Sequence, residues 1–233
     1  FRIVTMIFGV DLLSRLNLGV VVATLASITI VVSSLIALSQ DSIKRRLAFS
    51  TIGQIAYIVL GASLLSKAGL EGGLLHIAMH SFGKITLFFC AGAIYISTHE
   101  KYISRMKGIG KRMPVTMTAF FIGSLSVIGI PPCGGFLSKW YLLIGTIEAD
   151  QIVFLVVLLA SSFLNGCYFL PIVYRAFFCT EEESQFEGKV KEAPLWCVVP
   201  LSLTALISII LFFVPEPFLS LARLAVQSMA GGP

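Results

Sequence analysis

Six apolar runs of bilayer-spanning length follow one another along this chain with little between them. They run from Asn17 to Ser39, Ile43 to Ser66, Leu70 to Ser97, Pro114 to Glu148, Gln151 to Phe178 and Pro194 to Val214. A transmembrane helix needs about 20 predominantly apolar residues, so each run qualifies and no room is left for a separate water-soluble domain. Composition agrees: 57% of the 233 residues are hydrophobic and 12% charged, with a mean hydropathy of +0.94. Soluble domains are about half apolar and about a quarter charged, so disorder, a collagen-like repeat and a soluble enzyme core are excluded. The expected fold class is an all-α integral membrane protein of about six transmembrane helices, one of them discontinuous.

The rest of the chain is short. Residues 1–16 are read as the tail of a preceding helix and a loop, 17–178 as one transmembrane unit, 179–193 as a cytoplasmic loop, and 194–233 as a last helix and tail. Within that tail Phe218, Leu221, Leu224 and Val226 are expected on an interfacial amphipathic turn or two. The start at Phe1 shows neither a charged region nor a small-residue cleavage site, so it does not resemble a signal peptide, and a fragment of a longer protein is expected. Five cysteines stand without any CxxC pair, which makes them small core residues rather than a metal or disulfide framework.

If the runs alternate in direction, three loops share one side. They carry Lys44, Arg45, Arg46, Lys101, Arg105, Lys107, Lys111, Arg112, Arg175, Lys189 and Lys191, against Arg15, Lys67 and Arg223 opposite. Basic loops stay in the cytoplasm, which puts the C-terminus outside. The same bias accounts for the net charge of +5 without nucleic acid as a partner. The acidic stretch Glu181 to Glu183 reads as a solvated loop.

The run from Pro114 to Glu148 is too long for one straight span. Its 35 residues would make a helix of about 52 Å against a hydrocarbon core of about 30 Å. The break is expected at Gly129-Ile130-Pro131-Pro132-Cys133-Gly134-Gly135, because proline lacks the donor a helix needs. Unwound backbone in a membrane must be buried in protein or line a wet cavity, which in transporters is where ions bind. A plain proline kink or a re-entrant loop is the bland reading.

Five residues in these runs are candidates for proton handling. Lys84 lies near the middle of the third run, where a lysine costs about 2.5–3.5 kcal/mol to insert and faces a bundle interior or water. His76, His80 and Lys84 recur at one-turn intervals, so they share a helix face about 12 Å long and suit a proton relay. A zinc or haem site is the rival use of His-xxx-His, but no carboxylate or thiolate cluster completes it. Lys139 follows the break, with Trp140 and Tyr141 beside it as either membrane-surface anchors or bystanders to an ion path. Lys44, three residues after Asp41, anchors the cytoplasmic end and is a candidate entry to the path. Asn165 is a candidate interhelical hydrogen-bonding residue.

Four segments carry a family resemblance: "QDSIKRRLAFSTIGQIAY" from Gln40, "HIAMHSFGKITLFFCAG" from His76, "GIPPCGGFLSKWYLL" from Gly129 and "YFLPIVYRAFF" from Tyr168. Together they resemble the C-terminal half of the antiporter-like membrane subunits of Mrp-type monovalent cation/proton antiporters, respiratory complex I (NADH:quinone oxidoreductase) and membrane-bound hydrogenases, most of all the D-type Mrp subunit. The resemblance implies two inverted five-helix repeats, of which this chain holds the second plus a final helix. It implies that Lys84 and Lys139 are the channel lysines, His76 and His80 the relay, and Lys44 the lysine of the "IKR" motif. It further implies a bacterial-type inner membrane, other membrane subunits as partners, protons and Na+ or K+ as cargo, and no cofactor. Enzyme status depends on the owner: a transporter subunit in Mrp, a translocase subunit in complex I. The intramembrane Glu of the family's first half is not in this stretch. An electron-carrying haem or quinone subunit and a pure scaffold are the rival readings.

Overall fold

A computed structural model describes residues 1, 3–179 and 191–230, whose regular structure is all helical apart from one isolated bridge between Ser42 and Tyr102. The expected acidic stretch Glu181–Glu183 and Lys189 lie outside the described residues. After a helical turn at Ile3–Phe8 and the short α1 (Val10–Arg15) come α2 (Leu18–Ser39), α3 (Ile43–Ser63) and α4 (Lys67–Thr98). A further short turn and α5 (Ile109–Arg112) lead to α6 (Pro114–Ile128), α7 (Gly135–Glu148), α8 (Ile152–Phe178), α9 (Leu195–Phe213) and α10 (Glu216–Ala230).

Among the described residues, α2, α4, α8 and α9 are each long and apolar enough to cross a membrane. Helix α3 has the length but opens on Lys44, Arg45 and Arg46, and α6 and α7, at 15 and 14 residues, are each too short alone. The expected break separates those two at residues 129–134. Gly129 takes φ +86°, which ends α6 in the left-handed region that glycine tolerates, and the Pro131–Pro132 bond is cis. Inside the break Gly134 N–H donates to the Ser208 carbonyl of α9 at 2.8 Å, so the unwound backbone is held by a neighbouring helix rather than left to lipid.

Helix α4 is the hub, packing against α3, α6, α7, α9 and α10, while α2 closes one side against α3 and α8. The apolar core falls into three clusters. Leu47, Leu87, Phe120 and Phe169 belong to a cluster at the basic end, and Ile30, Tyr57, Leu142 and Leu158 to a second one. The three basic loops do gather at one end. There Ile43 N–H donates to Lys101 O at 3.1 Å, Ile103 N–H to Asp41 O at 2.8 Å, and Gly108 N–H to Arg175 O at 3.1 Å. Glu192 caps α6 by accepting from the amides of Val115 and Thr116 and from the Thr116 hydroxyl.

The tail corrects the expectation of an interfacial turn or two. Residues Glu216–Ala230 form four turns of helix, and Leu219, Ala222 and Val226 are buried at helical spacing. Leu219 joins Leu75, Met79 and Leu211, and Phe218 meets Phe82 edge-on. Leu221 and Leu224 point away because they fall outside the face that the 3.6-residue period selects.

Close backbone approach at the break gives a test. A Cβ on Gly135 would collide with the Ser126 carbonyl oxygen, whereas one on Gly166 would meet only Leu170 at 3.9 Å. Gly135→Ala is expected to destabilise the purified assembly by about 2 kcal/mol or more, and Gly166→Ala to leave it within about 0.5 kcal/mol of the parent or better. Thermal unfolding in detergent reads both, and equal behaviour of the two contradicts the described packing.

Candidate functional site

Two polar stripes face each other across the α3–α4 contact. On α3, Ser50, Gln54 and Tyr57 recur at helical spacing, and all are buried. Opposite them on α4 run Lys84, His80 and His76 in antiparallel order. Lys84 is 4% exposed, and its ammonium donates to Ser50 Oγ at 2.6 Å and Leu47 O at 3.3 Å, with the Phe169 ring 5.5 Å away. The His76 and His80 rings stack at 5.6 Å, and Tyr57 stacks on His76 from the other side at 5.5 Å. His76 Nδ1 is 2.8 Å from Ser138 Oγ, one residue before Lys139.

Lys139 is 6% exposed, so it is a buried residue of the bundle and not an interfacial anchor, while its neighbour Trp140 is half exposed. Its partners follow from the break. In an α-helix the carbonyl of residue i accepts from the amide of i+4. The residues four beyond Val127 and Ile128 are Pro131 and Pro132, which have no amide hydrogen to give. Lys139 Nζ fills both vacancies, donating to Val127 O and Ile128 O at 2.9 Å each, and to Ser162 Oγ of α8 at 3.1 Å. Three donors meet three acceptors, with the Tyr57 ring 4.9 Å from the nitrogen. Hydrogen bonds to a charged group contribute about 1.5–3 kcal/mol each, enough together to offset the about 2.5–3.5 kcal/mol cost of a central lysine.

Helix α8 supplies a third polar stripe of Ser161, Ser162, Asn165 and Tyr168. Tyr168 Oη lies 2.8 Å from Ser50 Oγ and is bonded to Asn165 Oδ1. Tyr57 OH donates to the Leu158 carbonyl at 3.3 Å. Several buried polar atoms in this region have no protein partner: His76 Nε2, His80 Nε2, Gln54 Oε1 and Asn165 Nδ2. Buried polar atoms without partners are where internal water belongs. Beside Ser162 an apolar groove of about 800 Å³ opens between the break and α8, lined by Ile128, Gly129, Phe163 and Cys167.

The sequence-predicted residues therefore separate. His76, His80, Lys84 and Lys139 come together, and Asn165 joins them. Lys44 does not: it is exposed at the basic end, 4.8 Å from the Tyr95 ring that Lys101 also approaches at 5.3 Å. Asp41, expected beside Lys44, is instead bonded to the amide and hydroxyl of Ser104 at 2.9 and 2.7 Å. It is Arg46, two residues on, that reaches inward, donating to Gln40 O at 2.9 Å and to Tyr168 O at 2.8 Å. Ser50, Gln54, Tyr57, Ser162 and Tyr168 were missed, although polar side chains at helical spacing inside apolar runs were signal enough. Cys90 and Cys133 are buried and all five thiols are free. Among the described residues no three His, Cys, Asp or Glu side chains come together as metal ligands.

Comparison with known proteins follows the same lines. The family described as NADH:quinone oxidoreductase/Mrp antiporter, TM, matches residues 2–165. NADH-quinone oxidoreductase subunit N of Desulforudis audaxviator (strain MP104C) is 41% identical over 157 residues, 67% of this chain and 31% of that protein. Among solved structures, a chain of the Mrp complex from Dietzia sp. DQ12-45-1b superposes with a TM-score of 0.84 at 22% identity, covering 91% of this chain and 47% of its own. A chain of the membrane-bound sulfane sulfur reductase, an archaeal respiratory membrane complex, gives 0.82 at 26% identity, covering 91% and 42%. This chain thus spans less than half the length of each of these. With well over half of its residues matched, the chain belongs to the NADH:quinone oxidoreductase/Mrp antiporter transmembrane family.

Proposed function

We propose that this chain is the second inverted repeat, with one discontinuous helix and a final helix, of a subunit that moves protons across the inner membrane. In the main reading protons exchange for Na+ or K+ within an Mrp-type complex of several membrane subunits. The observation that carries it is two lysines sunk in one bundle with a stacked histidine pair between them, each ammonium satisfied by backbone or hydroxyl oxygens. Among the described residues no carboxylate pairs with either one, so neither is a structural ion pair there.

The path runs from Lys84 through His80 and His76 to Ser138 and Lys139. Each imidazole can take a proton on one nitrogen and release it from the other, provided water joins the unpartnered Nε2 atoms. Both lysines can exchange a proton: an ammonium that gives up one N–H keeps two donors and gains a lone pair that can accept. Lys44, at the basic surface, is the proposed cytoplasmic entry, with Arg46 bridging inward. A second reading is a redox-driven proton pump of the complex I or hydrogenase type, favoured by the name of the 41% identical relative. The two differ in what drives transport: the proton gradient itself in the first, a redox reaction elsewhere in the assembly in the second.

In vesicles holding the assembled complex, Lys84→Ala and Lys139→Ala are each expected to lower proton flux at least about tenfold. Ser162→Ala, which removes one of three partners, is expected to lower it less. Flux retained in both lysine variants, with assembly intact, overturns the reading and leaves a scaffold.

Sidedness has its own check. A cysteine placed at Lys101 is expected to react with a membrane-impermeant thiol reagent only from the cytoplasm, and one at Lys67 only from outside. The opposite pattern inverts the proposed orientation.

A further inference from the structure

Lys84 ends a chain of hydrogen bonds that the relay does not use. The chain passes from its nitrogen to Ser50 Oγ, to Tyr168 Oη and on to Asn165 Oδ1, linking α4, α3 and α8. Counting protons fixes its direction. A phenol has one proton, and an amide oxygen can only accept, so the Tyr168 proton is committed to Asn165. Ser50 must then donate to Tyr168, which leaves the Ser50 oxygen as an acceptor facing Lys84. The Leu47 carbonyl is a second acceptor. Two acceptors at one nitrogen suit an ammonium.

The far end of the chain is unfinished. Asn165 is 1% exposed, its oxygen is used and its Nδ2 has no partner. We propose that the Asn165 carboxamide is a positioning residue that sets the direction of this chain and reverses it when Lys84 loses its proton. A half-turn of the amide brings Nδ2 to Tyr168 Oη as donor. The phenol then donates to Ser50, and Ser50 donates to the lone pair of a neutral Lys84 amine. The orphan becomes the amide oxygen, which buried sites tolerate better than an orphan N–H. One bond breaks, the Lys84 N–H that neither Leu47 nor Ser50 engages, its proton passing to water on the His80 side, and a third of a turn about Cε–Nζ then brings the new lone pair to Ser50 while an N–H stays on Leu47 O. The inference rests on Lys84 being a proton carrier, as proposed above.

Other charges around Lys84 bear on any pH reading. His80, His76, Glu71 and Lys67 share its helix, Lys139 lies on α7, Arg46 and Tyr57 on α3 and Tyr168 on α8, whereas α2, α6 and α9 carry no charged side chain. On α10, Arg223 sits at Tyr141, toward the opposite end of α4. None of these is altered by substitution at Asn165.

The test is the pH profile of proton flux in vesicles bearing the assembled complex. Asn165→Leu removes the acceptor, frees the phenol proton for Ser50 and locks the reversed direction, so the alkaline limb is expected to move to lower pH. Asn165→Asp offers only acceptors when ionised and locks the forward direction, so the limb is expected to move to higher pH. About half a pH unit each way is the scale of one hydrogen bond. Tyr168→Phe, which keeps the ring against Phe169, is expected to move with Asn165→Leu and serves where that variant fails to assemble. Shifts of one sign in the leucine and aspartate variants, or lowered flux with an unmoved limb, overturn the inference. If the limb stays while Lys84→Ala abolishes flux, this inference fails and the proposed function stands.

Discussion

Two carbonyl groups without helical partners organise this molecule. Pro131 and Pro132 withhold the amides that Val127 and Ile128 need, and in a hydrocarbon setting water cannot replace them. The Lys139 ammonium does, from the helix that starts at Gly135 directly after the break. Each party removes the other's cost, since neither a bare carbonyl pair nor a bare ammonium is stable alone in the bundle. Around that contact the rest falls into place: Gly129 turns the chain, Gly135 lets α7 touch α6, and Ser208 of α9 holds the loop.

The polar row sits at the seam between two apolar clusters, and this position explains its chemistry. Lys84 is walled by Leu47 and Phe169 from one cluster, Lys139 by Tyr57 from the other. Dense packing on both sides keeps bulk water away, while the stacked imidazoles and unpartnered nitrogens leave a narrow polar strip between. In the proposed reading this strip passes protons by short hops between fixed groups. The stripes on α3, α4 and α8 belong to three different helices, so relative movement of any one alters the spacing of the row.

Much of this was legible in the sequence. The hydrophobic runs located α2, α4, α8 and α9 within a few residues, because burial in lipid demands length and apolarity together. The double proline marked the break, since the missing donors are a covalent fact. One-turn spacing placed His76, His80 and Lys84 on one face. What stayed hidden depends on tertiary contact. Nothing local tells that Lys139 turns back to carbonyls eleven and twelve residues earlier, or that Asp41 prefers Ser104 to Lys44. Serines and tyrosines in apolar helices bond their own backbone as readily as a neighbour, so Ser50, Ser162 and Tyr168 acquire meaning only when α3 and α8 close on α4. In α10 the apolar residues were visible, but the face that docks is chosen by the partner groove.

The most direct measurement is a high-resolution density map of the intact assembly in a lipid bilayer, inspected between Gln54, His76 and His80. Ordered water within hydrogen-bond distance of both histidine Nε2 atoms, continuous toward Lys84 and Lys139, is the expected result. A dry gap sealed by the surrounding leucines and phenylalanines, with the two lysines isolated from each other, contradicts the account.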